Sequence, residues 1–211
     1  MSASRPLLVT DCDEVLLHMV SHFRDWLDEA HGIEFSLSHG FAEALRRQKD
    51  GVVVPQEEVW ELLNGFFDTQ MHRQDPIPGA VEAIAALEEV AEVVVLTNLM
   101  DFRRDARIEQ LAALGIDLPV YTNQGPKGPA LEKIVEERGG NRHILFIDDL
   151  PQHHESVAES LPRSTRLHFV GEPAIAGKMD CAHVAGHAQA RIDRWDKALP
   201  WLLERMEGAN A

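Results

Sequence analysis

Cys12 and Cys181 are the only cysteines in the chain of 211 residues. They stand in no metal-type spacing, so neither a disulfide framework nor a zinc cluster is predicted. Positive charge is scarce as well: 20 Lys and Arg stand against 35 Asp and Glu, a formal net charge of -15. That balance argues against nucleic acid and anionic membranes as partners, while leaving room for a small cationic pocket that takes one phosphate. No apolar run approaches membrane-spanning length, and the opening MSASRPLLV is too short in apolar residues for a signal peptide. Tandem repeats and low-complexity segments are also missing. These absences predict a soluble, cytoplasmic protein in a reducing setting, and leave its oligomeric state open.

What the chain does have is core material. With 45% hydrophobic and 26% charged residues, it suits one globular domain or a domain with a sizeable insert. Short β-branched runs predict strands at 7–10, 93–97, 120–122, 143–147 and 166–170. Between them lie helical stripes: Val81, Ile84 and Ala85; Ile108, Leu111, Ala112 and Leu114, stopped by Gly115; Ala130, Ile134 and Val135; Val157, Ala158 and Leu161. Strands alternating with single helices predict an α/β fold, a Rossmann-like parallel sheet with helices on both faces.

The first crossover breaks this rhythm. Roughly sixty residues separate the first strand from the DPIPG stretch, none reading clearly as a strand. Phe23, Trp26, Leu27 and Ala30 predict one helix, Phe41, Ala44 and Leu45 a second, and Val59, Leu62, Leu63, Phe66 and Phe67 a third opened by Pro55. The expected division is a Rossmann-like core of residues 1–17 and 78–211 with a helical cap inserted at 18–77. The C-terminal RIDRWDKALPWLLERM reads as helix, with Pro200 expected to break or restart it.

Polar residues cluster where these strands end. Asp11 and Asp13 follow the first, Thr97 and Asn98 close the second, Lys127 follows the third, and Asp148 and Asp149 end the fourth. In an open parallel sheet the carboxyl ends share one edge, where ligands bind. Singly, each has an ordinary reading: the aspartates as turn or helix-cap residues, Thr97 as a strand residue, Lys127 as a solvated helix start. Their order along the chain favours a site. If strand geometry persists past Asp11, alternation puts Asp11 and Asp13 on one side and turns Cys12, read as a buried inert thiol, away. The adjacent His153 and His154 are expected on a helix surface. Arg46, Arg47 and Lys49 of the insert offer either a second anion contact or a solvated face, and His18 and Phe23 either line the mouth of the site or pack at the hinge.

This ordered set resembles the haloacid dehalogenase-like superfamily, most of whose members are phosphohydrolases. LLVTDCDEVL is similar to its first motif at Asp11, Asp13, Val15 and Leu16, VVVLTN to its second at Thr97, Lys127 to its third, and ILFIDDLP to its fourth at Asp148 and Asp149. The resemblance runs from about residue 7 to 170. Two positions depart from it: Glu14 stands where Gly is common, and His153 where some members carry an acidic or amide residue. It implies a Mg2+-dependent phosphatase that hydrolyses a small phosphorylated metabolite through an aspartyl phosphate. Asp11 would be the nucleophile and Asp13 the acid/base, with its pKa raised by the neighbouring carboxylate. Thr97, Asn98 and Lys127 would bind the phosphoryl group, and Asp11, the Asp13 carbonyl and Asp149 the metal, with Asp148 a ligand or an orienting group. A haloacid-type dehalogenase, which needs neither metal nor second aspartate, and a non-catalytic binding protein of the same fold are the alternatives.

Overall fold

The computed structural model describes residues 5–208, the side chains of 39 and 41 excepted. In chain order the first half runs β1 (Leu7–Thr10), α1 (Val20–His31), β2 (Ile33–Phe35), β3 (Leu45–Arg47), α2 (Gln56–Thr69) and α3 (Ala80–Glu88). The second half runs β4 (Glu92–Thr97), α4 (Arg104–Ala113), β5 (Val120–Thr122), α5 (Gly128–Glu137), β6 (Ile144–Asp148), α6 (Pro151–Ser160), β7 (Thr165–His168), α7 (Pro173–Ala176), β8 (Ala190–Arg191) and α8 (Trp195–Gly208). Six strands form one parallel sheet in the order β5-β4-β1-β6-β7-β8.

Alternation along the central strand builds both halves of the core. Leu8 faces α3, α4 and α8 through Ile84, Leu87, Leu111, Ala198 and Leu202. Leu7 and Val9 face α5 and α6 through Leu131, Ile134 and Val157. Both faces are covered, so β1, β4 and β6 read as near-continuous apolar runs rather than alternating ones. No helix among the described residues is long and apolar enough to cross a membrane.

The segment between β1 and α3 has its own apolar cluster, in which Phe23 and Leu27 of α1 pack on Leu62 and Phe66 of α2. Its two connections to the sheet run side by side: the His18 N–H donates to the Asp75 carbonyl at 2.9 Å and the Ile77 N–H to the Leu16 carbonyl at 2.8 Å. Two of its three expected helices are present. The middle one is not: Phe41–Glu43 is a single 3-10 turn, and Leu45–Arg47 is β3, paired antiparallel with β2. Gly40 and Gly51, both at positive φ, bound a segment too short for a stable helix, and its main chain pairs across to β2 instead.

Two further expectations are corrected. A sixth strand, β8, joins the sheet edge by only two residues, too few to leave a periodic signal. Pro200 does not break α8. It lies on the exposed side, where the Asp196 carbonyl deprived of its partner can meet water, while Ala198, Leu202 and Met206 stay buried on the other side.

Candidate active site

β1 lies between β4 and β6, so the residues that end these strands meet at one edge. Thr10, the last residue of β1, is in register with Val95 and Ile147, and the Asp11 N–H extends the ladder by donating to the Ile147 carbonyl at 2.8 Å. Strand geometry stops there. The chain turns at once, and the Cys12 carbonyl accepts from the Leu16 and Leu17 N–H groups at 2.8 and 3.0 Å. Asp13 therefore reaches the Asp11 side through a tight turn rather than through continued pleating. Trp195 steadies this turn from α8, its Nε1–H donating to the Val15 carbonyl at 2.9 Å.

Glu14 is the only non-glycine residue at positive φ among those described, at 62°. The left-handed backbone explains why glycine suits this position. Here the side chain is tied down, Oε1 accepting from the Met19 and Val20 N–H groups at 2.8 and 2.6 Å at the start of α1.

Lys127, just ahead of α5, is fully buried. Its Nζ lies 2.8 Å from Asp11 Oδ1 and 2.7 Å from Asp148 Oδ2. It stands against the carboxylates and is not among the residues that line the cavity described below. Asp11 Oδ1 also accepts from the Cys12 N–H at 2.7 Å. Both donors reach the same oxygen, and no described residue donates to Oδ2. Burial pushes Asp11 up to about 7, Lys127 opposing and Asp148 adding to the shift. Burial, with Asp148 and Asp11 beside it, pushes Asp149 well above the usual carboxylate range. Burial acts on Asp148 too, but Lys127, His153 and His154 outweigh it and hold that carboxyl below its ordinary value.

Asp11, Asp148 and Asp149 each turn one oxygen to within 4.8 Å of the others, all three buried. An all-oxygen donor set of this kind fits Mg2+. Thr97 is buried and its hydroxyl has no hydrogen-bond partner among the described residues. Asn98 is exposed, donating from Nδ2 to the Gly125 carbonyl at 2.9 Å.

Asp11, Asp13, Thr97, Asn98 and Asp149 all line one cavity of about 910 Å³. The inserted segment walls it with Met19, Trp60, Leu63 and Phe67. Arg46, Arg47 and Lys49 are not on that wall. Arg46 pairs with Glu43, and Arg47 with Glu58 at 2.6 Å. Both guanidiniums are held by carboxylates of the inserted segment itself.

Several groups escaped sequence reasoning. Arg107 of α4, fully buried, sends Nη2 to both oxygens of Asp13 at 3.0 and 3.1 Å and Nη1 to Cys12 Sγ at 3.2 Å. Gln74 Nε2 adds a third hydrogen bond to Asp13 at 2.6 Å. The neighbouring carboxylate is thus not the only group that faces Asp13: both its oxygens are engaged by donors. A signal was available: Arg103, Arg107 and Leu111 fall at four-residue spacing on one buried face, and cations on such a stripe need partners. His153 and His154 are buried, not on a helix surface, because the first turn of α6 packs against the sheet edge. His154 Nε2 lies 2.9 Å from the Asp148 carbonyl, and His168 Nε2 lies 2.8 Å from that of Asp149.

No family model matches this sequence, and no curated protein matches it by sequence. Solved structures do resemble it. A haloacid dehalogenase-like family hydrolase from Streptococcus pneumoniae is 9% identical, with 96% of this chain and 100% of that one covered and a TM-score of 0.66. A haloacid dehalogenase-like family hydrolase from Xanthomonas campestris is 13% identical over 99% of both chains, TM-score 0.60. A protein described as a predicted phosphoglycolate phosphatase from Haemophilus somnus is 16% identical, covering 93% of this chain and 97% of that one, TM-score 0.60. The chain has the fold of the haloacid dehalogenase-like hydrolases.

Proposed function

We propose that the protein is a Mg2+-dependent phosphatase that cleaves small phosphomonoesters through an aspartyl phosphate on Asp11. The observation that carries this reading is that Asp11 keeps one oxygen free of protein donors in the same cavity as a buried, unpartnered Thr97 hydroxyl. One is a nucleophile without a competing hydrogen bond, the other a donor without an acceptor. A phosphoryl group between them answers both needs.

Asp11 Oδ2 attacks phosphorus, and the ester oxygen departs with the bonding pair. Asp13 supplies that oxygen with a proton, then takes one from the water that attacks the aspartyl phosphate, which frees Asp11 and inorganic phosphate. Arg107 and Gln74 fix the Asp13 carboxyl for both transfers. Thr97 donates to a phosphoryl oxygen, joined by the Asn98 N–H, and Lys127 offsets charge from behind Asp11. Mg2+ held by Asp11, Asp148 and Asp149, with the Asp13 carbonyl, would neutralise charge on the nucleophile and the phosphoryl group.

Among the described residues no Lys or Arg lines the cavity, while its far side is apolar and partly aromatic. A substrate with one phosphate and an apolar or aryl remainder fits this lining better than a bisphosphate or a phosphorylated carboxylic acid. The test is phosphate release from a panel of these three classes, with Mg2+ and with chelator, for the wild type and for folded Asp11→Asn. Release from apolar monoesters that needs Mg2+ and vanishes in the variant is expected. Equal turnover in chelator, or a preference for the doubly anionic classes, would contradict the reading.

A further inference from the structure

Gly171, three residues beyond β7, lets two loops touch. Its N–H donates to the Glu14 carbonyl at 2.7 Å, and a Cβ there would stand 2.2 Å from Ile77 Cδ1 and 2.9 Å from that carbonyl oxygen. The close approach brings Glu172 up to Glu14 and to His18, beside the paired connections that join the inserted segment to the sheet. Glu14, His18 and Glu172 each offer a ligand atom within 4.8 Å of the others.

The two glutamates are poised alike. Each spends one oxygen on backbone: Glu14 Oε1 on the start of α1, Glu172 Oε1 on the Ala174 N–H at 3.0 Å. Each then turns its second oxygen inward. Glu14 is 2% exposed, yet its Oε2 has no hydrogen-bond partner among the described residues. His18 Nδ1 lies 3.3 Å from Glu172 Oε2 but without hydrogen-bond geometry, so it too is unsatisfied. Two buried acceptors and an imidazole nitrogen converge on a point that none of them fills.

We propose that Glu14, His18 and Glu172 form a second cation site, separate from Asp11, Asp148 and Asp149, and that it takes Zn2+. Two carboxylate oxygens and one imidazole nitrogen are a donor set that zinc accepts and that Mg2+, which prefers oxygen alone, does not. His18 and Glu172 also line a cleft of about 900 Å³ whose walls include Asp25, Asp75, Glu82 and Asp193. That acidic cleft favours the approach of a cation. A bound ion would tie the start of α1 to the loop after β7 and so stiffen the junction of the inserted segment with the sheet.

The test measures zinc retained per chain after dialysis of the whole protein against excess Mg2+, together with the thermal midpoint. Glu14→Gln risks the start of α1, so His18→Ala and Glu172→Gln are the informative variants, with Asp149→Asn as control. The wild type and Asp149→Asn should each keep one Zn2+, and zinc at a hundredfold excess over its Kd should raise their midpoints by about 5–10 °C. His18→Ala and Glu172→Gln should lose both effects. No retained zinc in the wild type would overturn the site. Retention in the two variants, or loss in Asp149→Asn, would overturn it equally, since the metal would then sit elsewhere.

Discussion

Replacing Lys127 by Met removes one charge and keeps most of the side chain's length and packing. The ammonium it removes is fully buried, 2.8 Å from Asp11 Oδ1 and 2.7 Å from Asp148 Oδ2. At an effective dielectric of about 20, each contact is worth about 6 kcal/mol of Coulomb energy. Desolvation of the lysine takes back much of that, and removing one partner of a buried pair costs about 3–5 kcal/mol, because the other charge is left stranded. Urea unfolding of metal-free protein reads this loss directly. The cost should depend on pH. Asp11, already pushed up to about 7 with Lys127 beside it, rises further without it, so protonation relieves the variant in acid. The difference between variant and wild type should therefore widen as pH rises through about 7 and shrink below it. A loss under about 1 kcal/mol at every pH, the scale of an exposed pair, would refute the reasoning and return Lys127 to a solvated helix start.

Asp13→Asn should cost on the order of 10²–10⁴ in turnover of a poor alkoxide leaving group and much less for an activated aryl phosphate, measured by steady-state phosphate release. A uniform loss would remove Asp13 from proton transfer. In chelator, burial holds Asp11 at about 7 and Glu14 at about 8, both above their unfolded values, so the stability they contribute is full in acid and is lost progressively between the ordinary carboxylate range and those values. The thermal midpoint of chelated protein should fall across that window, and saturating Mg2+ should remove the Asp11 part; a flat profile would contradict the burial argument. Trp60 is 56% exposed on the cavity wall, so Trp60→Ala should raise KM for aryl phosphates while changing stability by no more than about 0.5 kcal/mol. An unchanged KM would take the aromatic wall out of substrate binding.

The sheet was legible because parallel strands buried on both faces leave continuous β-branched runs: 7–10 and 120–122 match the observed β1 and β5 to the residue. The convergence of Asp11, Thr97 and Asp148 followed from strand order, since they stand at or just past carboxyl ends, and Lys127 joins them from the start of α5. What stayed hidden depends on contacts distant in sequence. The β2–β3 hairpin is too short for its period to outweigh the apparent helical spacing of Phe41, Ala44 and Leu45. Arg107 shows its meaning only once α4 is laid against the turn that carries Asp13, 94 residues earlier. His153 and His154 looked like surface residues because adjacent positions on a helix diverge, yet both are buried where α6 starts, His154 against the Asp148 carbonyl and His153 against the Asn98 side chain. Glu14 read as a mere departure from glycine until its oxygens were followed, one to α1 and one to the junction with Glu172.

Covalent phosphorylation of Asp11 is the central claim. Rapid mixing of enzyme, Mg2+ and an aryl phosphate that releases its alcohol fast, followed by an acid quench and mass measurement of peptides, tests this most directly. A phosphoryl adduct confined to the peptide that contains Asp11 is predicted, formed as fast as the alcohol appears and missing from Asp11→Asn. Alcohol release without any adduct on that peptide, or undiminished in the folded Asp11→Asn protein, would contradict it.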